Sequence, residues 1–181
     1  MQNQIRHSYF HRGGEIPLLG QTIPEFFQGI VLQYPAHEAV VSIHQGRRLN
    51  YAELAAAVDE LACGLVASGY GKGDRIGVWS TNNIEWLLLQ MATARIGAIL
   101  VNINPAYRPR ERAYALERSV VQAIFFIPSF RSSDYVALLL ELLPELKTTA
   151  AGQLSNKALP MLSQVVIVDP MQPAATERPY P

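Results

Sequence analysis

With one cysteine in 181 residues, the chain cannot form an internal disulfide. That residue, Cys63, falls inside a helical pattern and reads as a small buried hydrophobe, not a reactive thiol, in keeping with a reducing, cytoplasmic setting. Excess charge is missing as well: 15 Lys plus Arg balance 15 Asp plus Glu, so there is neither a basic footprint for nucleic acid nor an acidic tail. No apolar run reaches the roughly 18 residues of a transmembrane segment, and the N-terminus lacks the apolar core and cleavage site of a secretory signal. What the chain has is hydrophobic side chains, 49% of its residues, against 17% charged. Its length suits one domain with a sizeable core. The expected organisation is a leader over 1–21, a folded unit over 22–169 and a proline-rich, truncated tail over 170–181, where DPMQPAATERPYP ends without a further element.

Three glycines near a lysine, in GYGKGDRIGVW, have the look of a phosphate cradle. The order of elements speaks against it. A cradle runs strand, glycine loop, helix, so that free amides at the helix start face the anion. Here a helix over 51–68 comes first, Gly69 caps its C-terminus in a left-handed conformation, and Gly71 and Gly73 lead into a strand over 75–79. The spacing also fails both GxxxxGK[ST], with Tyr70 in place of the lysine, and GxGxxG, with Asp74 in place of a glycine. The stretch reads as a turn.

The remaining elements follow from caps and periodicity. Thr22 and Pro24 open an amphipathic helix that Pro35 closes. Residues 39–43 and 48–50 pair as a small hairpin around Gln45-Gly46. Asn50 and Glu53 form a capping box before the 51–68 helix, whose apolar stripe runs through Tyr51, Leu54, Ala55, Val58, Leu61, Ala62, Leu65 and Val66. Asp59 and Glu60 read as its wet face. Beyond it, strands over 75–79, 98–102, 121–127 and 164–168 alternate with helices over 83–96, 109–119 and 132–143, the last capped by Ser132 or Ser133. This alternation predicts an α/β fold: a partial doubly wound, mostly parallel sheet with flanking helices and a small N-terminal hairpin. Ligands of such sheets collect outside the carboxyl ends of the strands, which directs attention to loops 80–83 and 102–107. Their asparagines read as caps before they read as ligand contacts.

The helices over 84–96 and 135–143 are apolar on nearly every face, so they predict cover on every face, including from a protein partner. His7, His11, His37 and His44 lack cysteine or clustered carboxylate company and read as solvent-facing, not as metal ligands. The sequence nominates no catalytic, cofactor-binding or metal-binding residue.

Tyr51–Leu54 (YAEL), Lys72–Arg75 (KGDR), Asn83 with Glu85-Trp86, Gly97–Val101 (GAILV) and Asn104–Tyr107 (NPAY) together resemble the first part of the AMP-binding, adenylate-forming enzymes. Within them the chain is most similar to fatty acyl-CoA and medium-chain acyl-CoA ligases, and the resemblance spans about residues 8–169. It implies fatty acid and lipid metabolism: ATP and Mg²⁺ convert an acid to an acyl-adenylate, and the acyl group then passes to coenzyme A. The family's phosphate loop, adenine-stacking aromatic, ribose-binding aspartate and late lysine have no match here, and Lys157 lacks a glycine-rich Ser/Thr run beside it. The resemblance therefore implies an N-terminal fragment cut before its phosphate loop. ATP, Mg²⁺, CoA and the fatty acid are expected only for the complete enzyme. The alternatives are a non-catalytic partner-binding or decoy subunit and a non-functional gene remnant.

Overall fold

The computed structural model describes residues 19–171 except 108 and 151, so most of the 1–21 leader, most of the 170–181 tail, and His7 and His11 lie outside the described residues. Helix α1 (Ile23–Gln33) opens on a full capping box, in which the Thr22 hydroxyl accepts from the Glu25 amide and the Glu25 carboxylate accepts from the Thr22 amide at 2.7 Å. Strands β1 (Glu38–Ser42) and β2 (Arg47–Asn50) form the expected antiparallel hairpin. Helix α2 (Tyr51–Ala67) starts from the Asn50 and Glu53 capping box, with reciprocal bonds of 2.8 and 2.9 Å.

Four parallel strands make the main sheet: β3 (Arg75–Trp79), β4 (Ile99–Asn102), β5 (Ala123–Phe126) and β8 (Gln164–Ile167), in the order β4-β3-β5-β8. Helices α3 (Ile84–Ile96), α4 (Pro109–Ser119) and α5 (Tyr135–Leu142) connect them, with a two-residue pair β6 (Ser129–Phe130) and β7 (Ser133–Asp134) ahead of α5. The period-2 alternation of the strands divides the core. Ile76, Val78 and Ala123 face the layer of α2 and α3, while Trp79, Ile124 and Phe126 face that of α4 and α5. Both layers are needed because a parallel sheet buries both of its faces.

Three expectations need correction. Cys63 is exposed, because Ala62 and Leu65 take the buried stripe and position 63 points about 100° away from its neighbour on a helix. Neither Ser132 nor Ser133 caps α5. Ser133 belongs to β7, and the Asp134 carboxylate accepts from the Ala137 amide at 2.9 Å, so the helix starts three residues later than expected. Val66, expected on the apolar stripe, is exposed, because it lies about 100° round the helix from the buried Leu65. Asp59, half exposed on the expected wet face, also meets the Arg95 guanidinium at 2.6 Å and ties α2 to α3. The apolar α3 is largely covered by its own chain: of its residues only Gln90 and Arg95 are exposed, and α1, α2 and the sheet surround it.

The glycine stretch is a turn at the amino end of β3. Gly69, with φ of +91°, completes a Schellman motif: the Tyr70 amide donates to the Leu65 carbonyl at 3.0 Å and the Gly69 amide to the Val66 carbonyl at 2.9 Å. Asp74 then closes the turn by accepting from the Gly71 amide at 2.8 Å and from the Gln122 side chain at 2.6 Å. The Tyr70 hydroxyl donates to Gln164 at 2.9 Å, so one polar chain ties the starts of β3, β5 and β8.

Burial holds the Tyr70 phenol above its ordinary value; the Ser163 hydroxyl opposes this and the Asp74 carboxylate adds to it. A folded value above the unfolded one gives stability that is fully present below the unfolded value of about 10 and lost as pH rises through the folded value. Melting temperature should therefore fall as pH passes about 10, and Tyr70→Phe should flatten that fall in a series of melts. An unchanged alkaline slope in the variant would refute the assignment.

Candidate functional site

The polar loops at the carboxyl ends of the strands are built for local bonding. Asn83 accepts from the Trp86 amide at 2.7 Å as the cap of α3 and donates to the Ser80 hydroxyl at 2.8 Å, while Ser80 donates to the Thr81 carbonyl at 2.9 Å. Asn104 accepts from the Ala106 amide at 2.9 Å in an Asx turn. The Pro105 carbonyl accepts from the Tyr135 hydroxyl at 3.1 Å, which anchors the 102–107 loop to α5.

Behind the 80–83 loop lies a cavity of about 490 Å³ between the sheet and the α2–α3 layer. Leu61, Trp86, Leu89 and Phe125 contribute apolar lining, and Arg47 and Glu85 add charge. These two side chains form an ion pair, and Glu85 sits in the first turn of α3, where the helix dipole favours a carboxylate. Glu60 lines it as well, so a mainly apolar cavity carries an ion pair and a further carboxylate at its wall and can shelter apolar groups. Among the described residues no group of three or more His, Cys, Asp or Glu could hold a metal ion, and His37 and His44 are both exposed.

Gln45 was legible only as a turn residue, yet its side chain joins three elements here. Its amide oxygen accepts from the Ser42 hydroxyl at 2.7 Å and from the Ile84 amide at 2.9 Å. Its amide nitrogen donates to Glu85 at 2.7 Å and to the Pro170 carbonyl at 2.9 Å. The Ile84, Glu85 and Pro170 partners lie 39, 40 and 125 residues away, beyond any local sequence signal.

A parallel four-stranded sheet between two helical layers, with a cavity at the carboxyl ends of its strands, defines an α/β protein of the doubly wound kind. The chain belongs to the AMP-binding enzyme family, which it matches over residues 27–179. It is 38% identical over 168 residues to the mitochondrial medium-chain acyl-CoA ligase ACSF2 of Danio rerio, covering 93% of this chain and 28% of that protein. The human protein of the same name is 37% identical over 152 residues, covering 84% of this chain and 25% of its own length. The inhibitor-bound N-terminal domain of FACL13 from Mycobacterium tuberculosis shares the fold with a TM-score of 0.65 at 21% identity, covering 83% of this chain and 34% of that one. The chain thus spans about a quarter of the length of these curated relatives. No described helix is long and apolar enough to cross a membrane.

Proposed function

We propose that the chain is the N-terminal portion of an ATP-dependent acyl-CoA ligase, which converts a fatty acid, ATP and CoA to acyl-CoA, AMP and pyrophosphate. The observation that carries this reading is the 38% identity to a medium-chain acyl-CoA ligase over 93% of the chain. In this reading ATP, Mg²⁺ and CoA are bound by the complete enzyme, and two features of the described residues support it. The glycine turn lies at the amino end of β3, and Asn83 and Asn104 bond to their own loops. The chemistry needs donors aimed at developing charge and a metal to neutralise it. Those groups belong to other parts of the complete enzyme, and the part described here is inactive alone.

A second reading, a partner-binding subunit, draws support from α1. None of its residues is buried, and Ile23, Phe26 and Leu32 are exposed. A cytoplasmic setting stays part of the proposal; the vertebrate relatives carry "mitochondrial" in their names, and cell fractionation separates the two.

The test is to capture the native polypeptide from cell extract with an antibody to α2, read its mass beside 20.1 kDa, and assay it for pyrophosphate release with ATP, CoA and straight-chain acids. The expected result is a larger polypeptide that forms acyl-CoA, while the 181-residue chain stays at background. A captured polypeptide of any mass that forms neither acyl-adenylate nor acyl-CoA overturns the ligase reading.

A further inference from the structure

All four hydrogen-bonding positions of the Gln45 side-chain amide are occupied, two as acceptor and two as donor. Its partners come from the end of β1, the first turn of α3 and the chain just after β8. Glu85 and Val168, on either side of the Pro170 contact, both line the carboxyl-end cavity. We propose that Gln45 is a positioning residue that fixes where the chain leaves the sheet: it latches the backbone after β8 to the hairpin and to the start of α3, beside the cavity. The proposal stands independently of the ligase reading, because it rests on contacts within this chain.

The physical case is one of reach and exclusivity. Pro170 has no amide hydrogen, so its carbonyl is the polar backbone group it can offer, and Gln45 supplies the donor. Val168 is held on the other side, where its amide donates to the Phe126 carbonyl at 2.8 Å. The hairpin, which shares no ladder with the main sheet, thereby restrains the end of its edge strand β8.

The glutamate variant separates the donor role from the rest. In Gln45→Glu, a carboxylate still accepts from the Ser42 hydroxyl and the Ile84 amide, at a helix start that favours negative charge. It has no hydrogen to give to the Pro170 carbonyl, and it faces the Glu85 carboxylate. Gln45→Leu removes all four bonds. Hydrogen exchange of the 181-residue chain, read by mass spectrometry and accompanied by thermal melts, gives the result. In Gln45→Glu the amides of Val168 and Met171 should exchange about five- to tenfold faster, the scale of one lost hydrogen bond, while peptides from α2 and β3 exchange as in the parent. Glu85→Gln keeps an acceptor for Gln45 and should leave Val168 and Met171 protected. Unchanged exchange at 168–171 in Gln45→Glu overturns the proposal. So does equal acceleration throughout the chain or global unfolding, since Gln45 would then serve overall stability and not the course of the exit. If Gln45→Leu does not fold, Gln45→Glu decides alone.

Discussion

Trp79→Ala is expected to cost about 3–5 kcal/mol, a large share of the roughly 5–15 kcal/mol by which a domain of this size is folded. Trp79 ends β3 with 0% exposure and is the largest fully buried side chain. Its ring lies 4.2 Å from that of Tyr135 at 28° and 6.2 Å from that of Phe126 at 22°. These contacts join β3, β5 and the start of α5 in one aromatic stack, and such pairs add to the area they bury. The stack also reaches the carboxyl-end loops, because the Tyr135 hydroxyl donates to the Pro105 carbonyl. Removing the indole leaves a cavity between a sheet and a helix that cannot both close over it, which places the cost in the upper range for large-to-small changes. At about 2–4 °C per kcal/mol, the melting temperature should fall by roughly 6–20 °C, and Trp79→Phe should lose distinctly less. A loss below about 1 kcal/mol in urea melts would mean that the stack is not a central support of the fold.

Whatever was decided within three or four residues could be read from the sequence. The capping box at Asn50 and Glu53, the left-handed glycine after α2 and the alternation of short apolar runs with helical patterns each depend on neighbours along the chain. They suffice for a parallel α/β sheet. The misplaced start of α5 shows the limit of such signals, since Ser132, Ser133 and Asp134 are all good caps and the short β6–β7 pairing selected the third. Cys63 shows another, because a residue beside an apolar stripe is assigned a side only when the stripe's centre is known.

Site geometry was less legible, for the reason that its contacts are distant in sequence. Arg47 and Glu85 lie 38 residues apart, and Gln45 and Pro170 lie 125 apart. A glutamine in a hairpin turn gives no local sign that it caps a helix from another element. Apolar periodicity was similarly blind to the source of cover. It required cover for α3, which comes largely from α1 and α2, and it gave no sign that α1 would keep Ile23, Phe26 and Leu32 exposed.

The second large effect concerns the glycines that first suggested a phosphate cradle. Gly69 and Gly73 have φ of +91° and +90°, whereas Gly71 has no positive φ, and an added Cβ would meet nothing within 4 Å at any of the three. Space is therefore not the constraint, and any difference among substitutions at these sites must come from the backbone. A β-branched residue is strongly disfavoured at positive φ, so Gly69→Val and Gly73→Val should each cost about 1–3 kcal/mol. Gly71→Ala should be neutral or slightly stabilising, because it restricts the unfolded chain without straining the folded one. Gly73 carries a further tie, its amide donating to the Gly97 carbonyl at 2.9 Å, so strain there also loosens the turn that leads into β4. A phosphate cradle would give a different order, in which all three glycines are needed for close approach of the anion and Gly71→Ala impairs nucleotide binding with stability unchanged. Urea melts of the three variants, with nucleotide titration of Gly71→Ala in the complete enzyme, separate the two accounts. Two destabilised variants, one unaffected variant and unaltered nucleotide affinity are what a turn at the amino end of β3 requires.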